Sequence, residues 1–235
     1  MQGVAVRQMD VPIGRVVYTP ILTPGGGFKA DLTIMRLGDE VFRVVTGGAH
    51  GMADRKWFTD HLPADGSAQL ADQTSAWTTL GLWGPRARDI LGSVTRDDVS
   101  DAAFPYLTAR AITVGSVPVY ALRVTYVGEL GWELYAHTEY GLSLWRTLWA
   151  AGVPHGLVAG GYRAIDALRL EKGYRVWSSD ITPDETPFEA GLGFAVALDK
   201  EAEFIGRDAL VAAKAAGPRK RLRCLVIDLL SLIHI

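Results

Sequence analysis

The chain has 235 residues, 49% hydrophobic and 21% charged, with a net charge of −2; such a composition suits one large globular domain or two small ones with a real core. No basic excess is available to neutralise phosphates, and no apolar run reaches the roughly 18 residues of a membrane helix, so neither nucleic acid nor membrane is an expected partner. The single cysteine, Cys224, excludes a disulfide framework and a cysteine zinc site, and its apolar neighbours Leu222 and Val226 suggest a buried, inert thiol.

Residues 16–22 form a short apolar run that ends in Thr23-Pro24-Gly25-Gly26-Gly27. Residues 32–37 and 41–46 flank Gly38-Asp39-Glu40 and predict a hairpin. From 49 to 62, Met52, Trp57, Phe58 and Leu62 recur at helical spacing, and Pro63 stops the helix. Residues 70–82 read as two short strands, and Pro85 opens a helix carrying Ala87, Ile90 and Leu91. Residues 112–114 and 117–124 predict a second hairpin around Gly115-Ser116, followed by a strand at 133–135. Helices are expected at 140–151, at 162–172 with Gly173 ending it, and from Gly206 to about Lys214; a strand is expected at 194–198. Hairpins alternating with helices give an α+β class with mainly antiparallel sheet.

The ends read differently from the middle. Residues 229–235 are apolar without a cap, turn or charge, and a strand pattern begins within a dozen residues of Met1, so truncation at both ends is expected. No basic region followed by an apolar stretch opens the chain, so no signal peptide is expected and a reducing, cytoplasmic setting fits. The basic run Arg219 to Arg223 reads as a solvated segment.

Candidate chemistry is sparse. The triple glycine could bring backbone close to a ligand, but a hairpin turn is the simpler reading. Asp31 is unusual beside an apolar strand, and spacing alone favours a turn-former over a site acid. The segment from Tyr126 to Glu133 places glycines around Glu129 with aromatics beside it. It could hold a flat heterocycle, with Glu129 accepting N–H donors, or be a bulged hairpin with an exposed charge. Asp166, Arg169 and Glu171 share a helix and read as a surface pairing. The histidines His50, His61, His137, His155 and His234 are scattered, so no metal site is expected. A serine-hydrolase elbow and a dinucleotide fingerprint are both missing.

Longer motifs carry more. Tyr18-Thr19-Pro20-Ile21-Leu22 followed by Gly26-Gly27-Phe28-Lys29-Ala30-Asp31-Leu32-Thr33, the segment from Tyr126 to Glu133, and Arg163-Ala164-Ile165-Asp166-Ala167-Leu168-Arg169-Leu170-Glu171-Lys172-Gly173-Tyr174-Arg175 come first. Asp180-Ile181, Thr186 to Leu192 and Phe204 to Arg207 follow. In that order they resemble the glycine cleavage T-protein (aminomethyltransferase) family, including the C-terminal half of dimethylglycine and sarcosine dehydrogenases. The resemblance implies a T-protein-like fold with a folate-binding region over residues 1–215, two α+β subdomains, and the start of a small barrel at 216–235, its first strand near 222–227. It implies a tetrahydrofolate cofactor and one-carbon transfer to 5,10-methylenetetrahydrofolate, with an N-methyl amine as the ultimate substrate. Asp31 matches the family's catalytic aspartate, Glu129 the glutamate on the pterin's N–H edge, and Tyr126 a pocket aromatic. Tyr18, Thr46 and Arg163 complete the expected cofactor-binding set.

Three departures are visible: Ala30-Asp31 where T-proteins carry two aspartates, Thr46 for an asparagine, and Ala164-Ile165-Asp166 for Ala-Arg-Asp. Arg163 could replace that arginine only from another face of the helix. All three lean toward the dehydrogenases. There, a separate or fused N-terminal flavin domain oxidises the amine; no flavin-domain sequence occurs here, so FAD is not expected on this chain. The alternatives are a stand-alone aminomethyltransferase served by a lipoyl carrier protein, and a non-catalytic folate-binding module.

Overall fold

The structure, a computed structural model, describes residues 1–226. Three strands, β1 (Val16–Leu22), β2 (Phe28–Arg36) and β3 (Phe42–Val45), form one antiparallel sheet in chain order. After helix α1 (Gly51–Asp60) comes β4 (Trp77–Trp83), then α2 (Ala87–Val94). Strands β5 (Ala109–Val114), β6 (Val117–Leu122) and β7 (Gly131–His137) join β4 in a second antiparallel sheet of order β4-β7-β6-β5. Helices α3 (Gly141–Gly152), α4 (Tyr162–Glu171) and α5 (Arg207–Ala216) follow. The α+β expectation therefore holds.

The sheets form where the pattern demands them. In β2, Ala30, Leu32 and Ile34 are buried on one face, packed with Met9, Val17 and Ile21 and with Trp57 and Phe58 of α1. Alternation then sends Asp31 and Thr33 to the opposite face. Pro20 sits in β1 without an N–H to donate, which an edge strand tolerates. The second sheet packs Leu134, Ala136 and Val119 against Ile90 and Leu91 of α2 and Leu144 and Leu148 of α3. A cluster of Val16, Met35, Ala109, Leu122 and Tyr135 joins the two sheets.

The triple glycine is the β1–β2 turn. Gly26 has φ +83°, and the Thr23 N–H donates to Gly27 O at 2.9 Å. Gly27 presses on the segment that crosses over the turn: a Cβ there would stand 1.9 Å from Pro183 O, while the adjacent Phe28 N–H donates to Glu185 O at 3.2 Å. Gly27→Ala is expected to cost about 1–3 kcal/mol or more, as over-packing against backbone does. A thermal melt reads this as a fall of several degrees.

Four expectations are corrected. Residues 70–82 hold one strand and not two: β4 starts at Trp77, after an irregular stretch and a short turn at Thr74–Ala76. The side chains of Asp65 and Asp72 accept from the N–H groups of Ser67 (2.9 Å) and Thr74 (3.0 Å), and so compete with strand formation. Residues 194–198 are not a strand; a turn at Gly193–Ala195 leads into them, and Val196 and Leu198 pack as side chains against Val6, Leu22, Phe204 and Leu210. Cys224 is exposed, not buried, because residues 221–226 run irregularly along the surface and form no strand. The last residue of the strand expected at 222–227, and the tail at 229–235, lie outside the described residues.

Candidate functional site

The site is built on the face of the first sheet that carries Asp31. Asp31 is not in a turn: β2 begins earlier, at Phe28, and Asp31 lies within the strand opposite Pro20. Tyr18 pairs with Thr33, so Tyr18 and Asp31 are diagonal neighbours on one face. The Tyr18 hydroxyl donates to Asp31 Oδ2 at 2.9 Å. Burial pushes the Asp31 carboxyl above its ordinary range, against the pull of the Tyr18 hydrogen bond; Asp54 adds to the rise and His50 opposes it. Burial and the Asp31 charge push the Tyr18 hydroxyl far up, so it stays a donor at any physiological pH.

Aromatic rings pack against Tyr18, and others lie on the loops that follow. Phe194 stacks on Tyr18 with centroids 6.3 Å apart, and 68% of its surface is exposed. Tyr126 stacks on Tyr174 at 6.2 Å and donates to Arg175 O at 2.7 Å. Its hydroxyl is pushed up to about 12, mainly by burial, with Arg169 opposing and Asp31 and Asp180 adding. Trp177 lies against Phe28 at 6.5 Å and meets the His50 ring edge-on at 6.3 Å. Ser178, beside Trp177, holds φ +68° and closes a turn through its N–H to Ile181 O at 2.9 Å. A left-handed non-glycine residue costs about 1–2 kcal/mol, so this turn is held by its surroundings.

Arg169 is much of that support. It is buried, contrary to the surface pairing expected for it. It bonds Asp166 Oδ1 at 2.8 Å, as i,i+3 spacing predicts, but also Tyr174 O at 3.0 Å and the Asp180 carboxylate. Asp180 Oδ2 in turn accepts from the Val176 N–H at 3.0 Å. One guanidinium thus fixes the loop that carries Tyr174, Arg175 and Trp177. Glu171 is exposed and takes no part.

The segment around Glu129 is the β6–β7 hairpin loop, folded on Thr125, whose hydroxyl accepts from Val127 N–H (3.1 Å) and Glu129 N–H (3.2 Å). Gly128 has φ +72°, and the Lys172 stem covers it. Glu129 is exposed, and its carboxylate has no protein partner among the described residues. Thr46 donates to the Asp54 carboxylate. Arg163 is exposed on α4 and makes no contact with the Asp31 group among the described residues.

Tyr18 and Asp31 are joined by a hydrogen bond and Tyr126 acts on both by charge, while Thr46 binds Asp54, and Glu129 and Arg163 stand apart. His50, Asp54, Tyr174, Arg175, Trp177 and Phe194 escaped the sequence reading. Arg175 and Tyr174 lie inside the longest motif, which could have flagged them. His50 and Asp54 act on the Asp31 charge from the segment after β3, which spacing did not connect with it.

The family model of the GCVT N-terminal domain matches residues 1–200. The chain belongs to the GCVT N-terminal domain family. Mouse mitochondrial sarcosine dehydrogenase is 39% identical, over 92% of this chain and 25% of its own length. Mouse mitochondrial dimethylglycine dehydrogenase is 37% identical over the same shares. The chain thus spans about a quarter of these relatives. The glycine cleavage system aminomethyltransferase T of Bartonella henselae superposes with a TM-score of 0.77 over 92% of this chain and 58% of its own, at 24% identity, and shows a shared fold. The GCVT domain here is an aminomethyltransferase-type domain related to N-methyl amino acid dehydrogenases. No helix among the described residues is long and apolar enough to cross a membrane, and no group of metal-ligating side chains occurs among them.

Proposed function

We propose that this chain is the tetrahydrofolate-binding part of a dimethylglycine- or sarcosine-dehydrogenase-like enzyme, passing one carbon from an oxidised N-methyl amine to give 5,10-methylenetetrahydrofolate. The observation that supports the reading is a half-buried carboxylate, Asp31, held by the hydroxyl of Tyr18, whose ring stacks on Phe194. The identities to two N-methyl amino acid dehydrogenases favour it over a stand-alone aminomethyltransferase. Oxidation of the amine is assigned to a flavin domain, fused or separate, outside these residues.

The residues present suit a reduced pterin with an aryl-glutamate tail. Flat rings call for the exposed face of Phe194 and the Tyr126–Tyr174 stack. Pterin N–H donors call for an unpaired acceptor, and Glu129 offers one. The tail carboxylates call for cations, and Lys172 and Arg163 are both exposed. Thr46 completes the expected set, though its hydroxyl is already engaged by Asp54.

Bound tetrahydrofolate supplies the amine nitrogens that take up the carbon. Asp31 would orient the attacking amine and receive its proton at Oδ1, the oxygen not engaged by Tyr18. A carboxyl raised by burial is nearer to holding a proton at neutral pH than an exposed one, as a general base and acid should be. Tyr18 fixes Oδ2, so the acidic group turns one defined oxygen to the substrate.

Glu129→Ala tests the binding half of this assignment. A charge-assisted hydrogen bond contributes about 1.5–3 kcal/mol, so tetrahydrofolate affinity should fall roughly 10- to 100-fold by calorimetry. Unchanged affinity would remove Glu129 from the pterin edge.

A further inference from the structure

Residues 5–7 run between β1 and the segment that carries Phe194, and both sides hold them. On one side the buried Thr19 hydroxyl, next along β1 from Tyr18, accepts from the N–H groups of Val6 and Arg7, each at 3.1 Å. On the other, the Ala197 N–H donates to Val6 O at 3.4 Å, and Val6 packs with Val196 and Leu198. Lys200 closes the clamp. It is buried, and its ammonium donates to Gln2 O at 2.8 Å, Ala5 O at 2.5 Å and Arg7 O at 3.2 Å. A buried ammonium is costly unless its donors are met. Here the carbonyls of one segment take all three.

From this held segment the Arg7 side chain, itself exposed, reaches across: its Nη1 donates to Phe194 O at 2.6 Å. The Phe194 ring stacks on Tyr18, and the Tyr18 hydroxyl holds Asp31. With 68% of Phe194 exposed, packing does little to fix its ring, so the hold comes through its backbone carbonyl. We propose that Arg7 is a positioning residue for the Asp31 site: it pins the Phe194 backbone so that the ring lies on Tyr18, while Lys200 fixes the segment from which Arg7 reaches. The aromatic face beside the acid is thus set by a residue 187 positions away in sequence. The inference rests on the reading that Phe194 meets the flat rings of the folate.

The test is the NMR cross-relaxation between the Phe194 and Tyr18 rings in the whole ligand-free chain, assigned by its loss in Phe194→Leu. Arg7→Met leaves the backbone bonds of residue 7 in place. It should melt within about 2 °C of wild type, as a surface substitution does, yet lose most of the ring contact. Arg7→Lys, which keeps a donor, should restore much of it. Lys200→Met should weaken the same contact and quicken amide exchange at Arg7 and Ala197 ahead of the second sheet. Tetrahydrofolate affinity should fall about 2- to 10-fold in Arg7→Met, the worth of one ordered aromatic pair. A ring contact as strong in a cooperatively melting Arg7→Met chain as in wild type would overturn the proposal. An Arg7→Met chain that does not fold would overturn it too, since Arg7 would then be a structural residue. Arg7→Met decides whether or not the Lys200→Met chain folds. Where wild type binds tetrahydrofolate, an affinity unchanged by loss of the contact would also overturn it. Failure of wild type to bind counts against the folate reading and leaves the ring contact, measured without folate, untouched.

Discussion

Asp31→Asn is expected to slow one-carbon transfer about 10²- to 10⁴-fold, the usual contribution of a positioned acid–base group, while tetrahydrofolate affinity changes only a few-fold. Asparagine keeps an acceptor for Tyr18 in place of Oδ2 but cannot take the proton. The same substitution should stabilise the protein. Burial raises the folded carboxyl above its unfolded value near 3.9, so the native state binds the proton more tightly than the unfolded state. Wild-type stability from this group is therefore complete below the unfolded value and is lost as pH rises through the folded one. The asparagine advantage should be absent in acid and full above that window, at about 2–4 °C in melting temperature per kcal/mol relieved. A variant that loses activity and stability together at neutral pH would mean that Asp31 is a structural residue.

Arg169→Met is the second large effect. It leaves Asp180 without its cation and Tyr174 O without its donor. Removing one partner of a fully buried pair costs about 3–5 kcal/mol. The Asp180 side chain is 29% exposed, so the loss should fall below that range, at about 2–4 °C in melting temperature per kcal/mol. The loss should concentrate in the loop that Arg169 holds. Amide exchange at Val176, whose N–H binds Asp180 Oδ2, should quicken most, ahead of exchange in the second sheet. Because Tyr174, Arg175 and Trp177 ride on that loop, folate affinity should fall as well. Uniform exchange across both sheets, with the loop no worse than the rest, would contradict the role given to Arg169.

The strands and helices with strong local signals were legible in the sequence. The hairpin of β2 and β3, helix α1 before Pro63, α2 after Pro85 and α5 after Gly206 lie close to where spacing and breakers put them. The misses share a cause. Residues 194–198 are apolar because they dock on Val6 and Leu22, and apolarity alone does not separate docking from strand pairing. The first residues of β2 were missed because the partner that pairs with them, β1, was read only as an apolar run. Pairing of Pro20 with Asp31 and of Tyr18 with Thr33 puts Asp31 in a strand and on the same face as Tyr18. Of the candidate site residues, Asp31 and Tyr126 stood out through resemblance and Glu129 also through its glycine-framed loop, whereas the Tyr18–Asp31 hydrogen bond depends on a strand register that spacing did not place. Arg169 shows the same limit. Its partner Asp166 was visible at i,i+3, but Asp180 was not, since the chain must double back past Gly173 to bring it there.

The central claim is that folate binds at Asp31. The most direct measurement follows the Asp31 carboxyl resonance while tetrahydrofolate is titrated into the folded chain, with heats of binding recorded in parallel. Binding at Asp31 predicts a saturable heat and a carboxyl shift that track one isotherm. A cooperatively folded chain that takes up tetrahydrofolate without moving the Asp31 resonance, or that takes up none, would contradict it.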